Sequence, residues 1–142
     1  MTQSKDIWRK VVVLAIVGGL AFWVTNFAIS LTPIAAEYRA GLSISYFPML
    51  LEALVGGLII GFGVSYFLLR FFDKIPTKNP ILKSVMLSFV ALFIASFLVQ
   101  IAASRTNDAL NVFIIGTMLN VPRFLALGIV IGHLYDKVNG GV

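Results

Sequence analysis

Two charged residues stand inside long apolar stretches of this sequence, Glu52 and Arg123. An ionised side chain at a bilayer centre costs about 2.5–3.5 kcal/mol on insertion scales, so it normally faces protein, water or another charge. Pro122 precedes Arg123. Its missing N–H frees the carbonyl of Met118 and favours a kink. Asn120 lies three residues before Arg123, on the same helical face as Arg123 and Gly116. The segment Asn120-Val121-Pro122-Arg123 resembles the interrupted helices that line transporter sites. Three roles fit Arg123: it bonds to carbonyls freed at the kink, it holds an anionic substrate, or it meets an acidic group on another protein or a lipid.

Glu52 belongs to a wider set. At 1.5 Å per residue it sits ~9 Å below the outer start of its apolar stretch. Asn26, Gln100 and Asn111 fall between ~4 and ~8 Å below the outer ends of theirs. One polar side chain per helix at similar depth describes either a water-accessible vestibule or a hydrogen-bonded knot that fixes a bundle. Arg123 lies deeper, ~21 Å from the outer start of its stretch, so it and Glu52 differ by about 12 Å along the membrane normal. An arginine side chain reaches only about half that distance, so straight parallel helices do not pair the two.

Other chemistry finds few players. His133 and Asp136 are three apart and could share a helix face, but two ligands without a third make a weak metal site. There is no cysteine, which removes disulfides, thiolate metal ligands and thiol catalysis. No Ser–His–carboxylate set, phosphate loop or zinc signature is present. The expectation is a protein that is not an enzyme and carries no cofactor or metal. The formal charge of +5 is spread over helix ends without an aromatic-interleaved basic patch, which argues against nucleic acid.

These residues are carried by an unusually apolar chain. Of 142 residues, 59% are hydrophobic and 12% charged. That is about half the charged fraction of a soluble domain, too little to cover a water-facing surface. Crossing the hydrocarbon core takes about 20 apolar residues. Four stretches qualify, at 11–31, 46–72, 81–103 and 109–135. The first is longer than the apolar region of a signal peptide and is read as a span. The fold class is therefore an all-α integral membrane protein, one four-helix transmembrane domain over residues 1–142. Eight Lys and Arg residues flank one side and two the other, with Arg123 inside a span. Both termini are then cytoplasmic. The expected location is a prokaryotic plasma membrane, with membrane lipid as a constant partner.

The connection after the first span contains Thr32 to cap a helix, Pro33 for its first turn, a helix-forming run to Ala40 and Gly41 to stop it. It reads as a short helix at the outer interface, with Tyr38, Tyr46 and Phe47 at headgroup depth. Trp8, Phe71, Phe72 and Tyr135 form the inner belt.

Lipid is as apolar as leucine, so these helices associate through close approach of small residues. Span two has Ala53, Gly57, Gly61 and Ser65 at intervals of four, widened by Gly56 and Gly63. Span four has Gly128 and Gly132, and span three a row at Ser84, Ser88, Ser96, Gln100 and Ser104. Small residues surround more of span two than of any other, which predicts a central position for it. The functional expectation is a small accessory subunit that packs against copies of itself or a larger membrane complex. The alternative is a small oligomeric transporter or channel for an ion or small solute, using Glu52 or Arg123.

The charge bias has a direct test. Cysteines introduced at Asn79 and Val142 should resist an impermeant thiol reagent in intact cells, and cysteines at Gly41 and Asn107 should label. Labelling at Asn79 in sealed cells would reverse the topology.

Overall fold

A computed structural model describes residues 2–42 and 45–140. Val142 and the side chains of Lys5, Tyr46 and Asp136, all used in the sequence reading, lie outside the described residues. Within them the chain is all helical: α1 Thr2–Ser30, α2 Pro33–Leu42, α3 Tyr46–Arg70, a 3-10 turn Phe72–Lys74, α4 Pro80–Ala103 and α5 Ala109–Gly140. Four of the helices are long and apolar enough to cross a membrane. The protein is thus an integral membrane protein by length and composition of its helices.

Local chemistry sets the boundaries. The Thr32 hydroxyl accepts from the N–H of Ala35 and caps α2. The Asn79 side chain accepts from the N–H of Ile81, and Pro80 takes the first turn of α4, where its missing donor costs nothing. Helix α1 begins nine residues before its apolar stretch, and an ion pair of 2.9 Å between Asp6 and Lys10 joins two turns of that polar extension. Helix α5 continues through Pro122.

The spans pack as an open arc in the order α3, α1, α5, α4. Neighbours run antiparallel, which their contacts show. Gly61 of α3 sits against Ala15 of α1, and Gly57 against Gly19. Gly18 of α1 meets Ile131 of α5, and the rings of Phe22 and Phe124 meet edge to face at 5.4 Å. Gly128 and Gly132 of α5 press against Ser88 and Ile81 of α4. The buried core runs along the middle pair, with Leu14 and Phe22 from α1 and Phe124, Leu127 and Ile131 from α5.

This corrects the expected centre of the bundle. Helix α3 rests mainly on α1 and touches α4 and α5 far less, so it is a flank. Its small residues divide in two. Gly57 and Gly61 are buried against α1 and Ala53 and Ser65 are buried too, whereas a Cβ on Gly56 or Gly63 would meet nothing within 4 Å. Counting glycines around a helix overstated its contacts, because glycine can mark open space as well as close approach.

The row of polar residues on α4 is also split. Ser84 and Ser88 are buried, while Gln100 and Ser104 are exposed. With 3.6 residues per turn, each step of four advances by about 40°, so five steps carry a row roughly halfway around the helix.

The end of the bundle that bears the termini is tied by aromatic rings, among them Trp8, Phe72 and Tyr135. Trp8 stacks on Phe62 and Tyr66 of α3, and Phe72 lies parallel to Tyr135 at 4.5 Å. Lys83 is buried; its ammonium donates to the Phe72 carbonyl and stands 3.6 Å over the Phe72 ring. That one contact fixes the turn after α3 onto α4.

At Gly61 an added Cβ would lie 2.8 Å from the backbone oxygen of Ala15. Gly61→Leu should therefore destabilise the purified chain by about 1–3 kcal/mol, as overpacking does. Gly63→Leu should stay within roughly 0.5 kcal/mol of the parent. Reversible unfolding in detergent compares them, and equal loss in both would remove the α1–α3 seam.

Candidate functional site

An arc of four helices leaves a gap where its ends face each other, and a cavity of about 340 Å³ occupies it. All five helices contribute to the wall, α2 closing one end. The polar part of the wall is Asn26, Ser30, Tyr38, Glu52, Asn120 and Arg123. The exposed Leu98 of α4 and Glu52 of α3 lie on this wall together with Gly56, so the opening falls between α3 and α4.

Arg123 organises the site. On α5 its side chain leans back toward the helix N-terminus, as Cβ geometry dictates. Its Nε donates to the Leu119 carbonyl at 3.2 Å, one Nη donates to Asn26 Oδ1 at 2.6 Å, and the other to Asn120 Oδ1. The guanidinium carbon also stands 5.5 Å from the centre of the Phe22 ring. The carbonyl used is that of Leu119, not the Met118 carbonyl that Pro122 leaves without its usual donor. A guanidinium carries five N–H groups. Three are engaged, and each Nη retains one.

All three acceptors are neutral. They replace the hydrogen bonds of lost water without neutralising the charge. Among the described residues Arg123 makes no ion pair; Glu52 shares its cavity but lies beyond ion-pair distance, in keeping with their offset along the chain. Asn26 is only 2% exposed, and its amide nitrogen has no partner. Its oxygen must face the guanidinium, since arginine has only donors. The amide N–H₂ is thereby left buried without a partner.

Four of the six polar residues singled out in the sequence meet here: Asn26, Glu52, Asn120 and Arg123. Ala53 of the small ridge joins the wall as well. Gln100 and Asn111 do not. Gln100 lines a separate shallow hollow with Ala103, Ser104 and Phe113. Asn111 donates to Glu37 of α2 at 3.2 Å on the exposed flank. Similar depth does not imply a shared face, and their helical angles turn both away from the gap.

The sequence reading missed Tyr38. It lies half-buried against Gly116 and on the cavity wall, a contact that its expected headgroup depth did not foretell. Ala35 and Tyr38 are three apart on α2, and that spacing was the available sign of an inward face. Burial raises the Tyr38 phenol above its ordinary value; Arg123 opposes the shift and Glu52 adds to it. The hydroxyl thus keeps its proton and sits within the fields of both charges. No family model, curated protein or solved structure matches the chain.

Because Asn26 links α1 to the guanidinium, its loss strands a donor. Asn26→Leu should cost about 1–3 kcal/mol of stability. Asn26→Asp supplies the missing negative charge at hydrogen-bond distance and should unfold at a higher temperature than Asn26→Leu and the parent. Thermal unfolding of the purified chain at neutral pH measures all three. An aspartate variant no more stable than the leucine variant would mean that the charge is already neutralised.

Proposed function

We propose that this chain is a small membrane protein that receives a ligand with an anionic group in its intramembrane cavity, as a transporter or carrier of small solutes does. One observation carries the reading: a guanidinium on a cavity wall, held by three neutral oxygens and retaining two N–H donors. Retaining a cation in such a place costs energy, and a bound oxyanion supplies both the charge and the acceptors it lacks. The wall is otherwise apolar with a few placed polar groups, the usual make-up of a small-molecule site. With one exposed histidine and no assembled acid–base pair, the site suits binding and passage rather than turnover of a bond.

The orientation follows the charge bias. The termini and the Phe72–Lys74 turn are placed in the cytoplasm of a prokaryotic cell, and α2 at the outer interface, so the cavity opens in the outer half of the membrane. A second reading is favoured by the gap itself. Helices α3 and α4 face each other across the opening, and α4 leaves most of its circumference uncovered. A second copy or another membrane subunit docking there would close the cavity, which keeps the accessory-subunit reading alongside the first.

Titrating the purified chain with propionate and with ethyl phosphate tests the main reading. Either anion should raise the unfolding temperature in a concentration-dependent way, since a ligand of the folded state stabilises it by mass action. Arg123→Gln should weaken that response at least ~10-fold, equivalent to about 1.4 kcal/mol. Parent protein that responds to neither anion beyond an equal concentration of chloride would refute it. Native mass spectrometry of the same sample reports copies and companions.

A further inference from the structure

The cavity holds a second charge that the anion reading leaves idle. Glu52 stands on the same wall as Arg123 but on a different helix, exposed at the opening between α3 and α4. It makes no ion pair among the described residues. Nothing in the arc brings the two together: α3 contacts α5 only sparsely, and the Arg123 side chain is held on α5 and α1 by its three acceptors. Tyr38 of α2 lines the same cavity and lies within the field of each. The wall therefore presents a fixed cation on α5, a carboxylate on α3 and a tyrosine hydroxyl on α2.

A ligand that carries only a negative charge satisfies one end of this arrangement and meets repulsion at the other. A ligand that is only cationic is turned away at Arg123. The complementary molecule has an oxyanion and an ammonium separated by a short linker. Resting on the anion reading above, we infer that the cavity selects zwitterions, with the oxyanion on Arg123 and Tyr38, and the ammonium on Glu52. Two sources offer this chemistry. One is a free amino-carboxylate or amino-phosphate solute. The other is the head group of a zwitterionic lipid, for which the opening between α3 and α4 provides a route from the side. Specificity of this kind comes from opposed charges that penalise the wrong partner as well as attract the right one.

The test compares ligands that differ by the ammonium alone: β-alanine against propionate, and phosphoethanolamine against ethyl phosphate. Each is titrated onto the purified full chain and onto Glu52→Gln and Arg123→Gln. On the parent, at least one zwitterion should bind at least ~10-fold more tightly than its anionic partner. Glu52→Gln should bring that ratio close to one while leaving the anions bound as before or better. Arg123→Gln should lose both members of each pair. A parallel arm places the chain in nanodiscs of mixed phosphatidylethanolamine and phosphatidylglycerol and counts retained lipids by native mass spectrometry. Preference for soluble zwitterions identifies a free solute, and preference only for phosphatidylethanolamine that Glu52→Gln abolishes identifies a lipid head group; both support the inference. Anions bound through Arg123 with no preference in either arm, or a preference that Glu52→Gln leaves intact, overturn it while the anion reading stands. Loss of anion binding altogether removes both.

Discussion

A guanidinium placed among apolar helices must recover the hydrogen bonds that water would have given it, and much of this bundle is arranged to that end. Arg123 draws acceptors from its own helix and from α1, so one side chain fixes the depth at which α1 and α5 meet. The edge-to-face pair of Phe22 and Phe124 lies directly beside it and shuts the apolar core off from the polar wall. What the arrangement does not provide is an anion. Hydrogen bonding and charge are separate requirements in a medium of low dielectric, and the chain meets the first without the second.

The seams between helices answer a different need. Without a hydrophobic force to pair them in lipid, α1 and α3 are joined where Ala15 and Gly19 face Gly57 and Gly61, and α4 and α5 where Ser88 and Ile81 face Gly128 and Gly132. Two tight seams and the aromatic contact between α1 and α5 close three sides of the arc. The fourth side has no comparable seam, and it is there that the cavity opens. Open space at Gly56 follows from the same cause.

Length and polarity made the four spans legible, along with the cap of α2 at Thr32. Arg123 with Asn120 was legible because both sit on one helix at fixed spacing. Their link to Asn26 was not, since it joins residues 97 positions apart and depends on which faces α1 and α5 present to each other. Gln100 and Asn111 show the same limit from the other side. Depth follows from counting residues, but azimuth around the bundle follows from packing, and small-residue rows drift too quickly around a helix to report it. The place of Tyr38 on the cavity wall was missed for a related reason: an aromatic near a membrane surface has a general explanation ready, which hid a specific one.

The burial of Lys83 bears on an earlier moment in the protein's life. In the orientation proposed above, the turn carrying lysines is held back from translocation while the chain is inserted, and Lys83 belongs to that group. Once the helices have assembled, the same ammonium is withdrawn against the Phe72 ring and carbonyl and no longer faces solvent. Leaving it out still gives seven basic residues against two, so orientation does not rest on it. In that orientation the turn uses one charge twice in sequence, first among those that hold it back and then as a latch that binds it to the folded bundle.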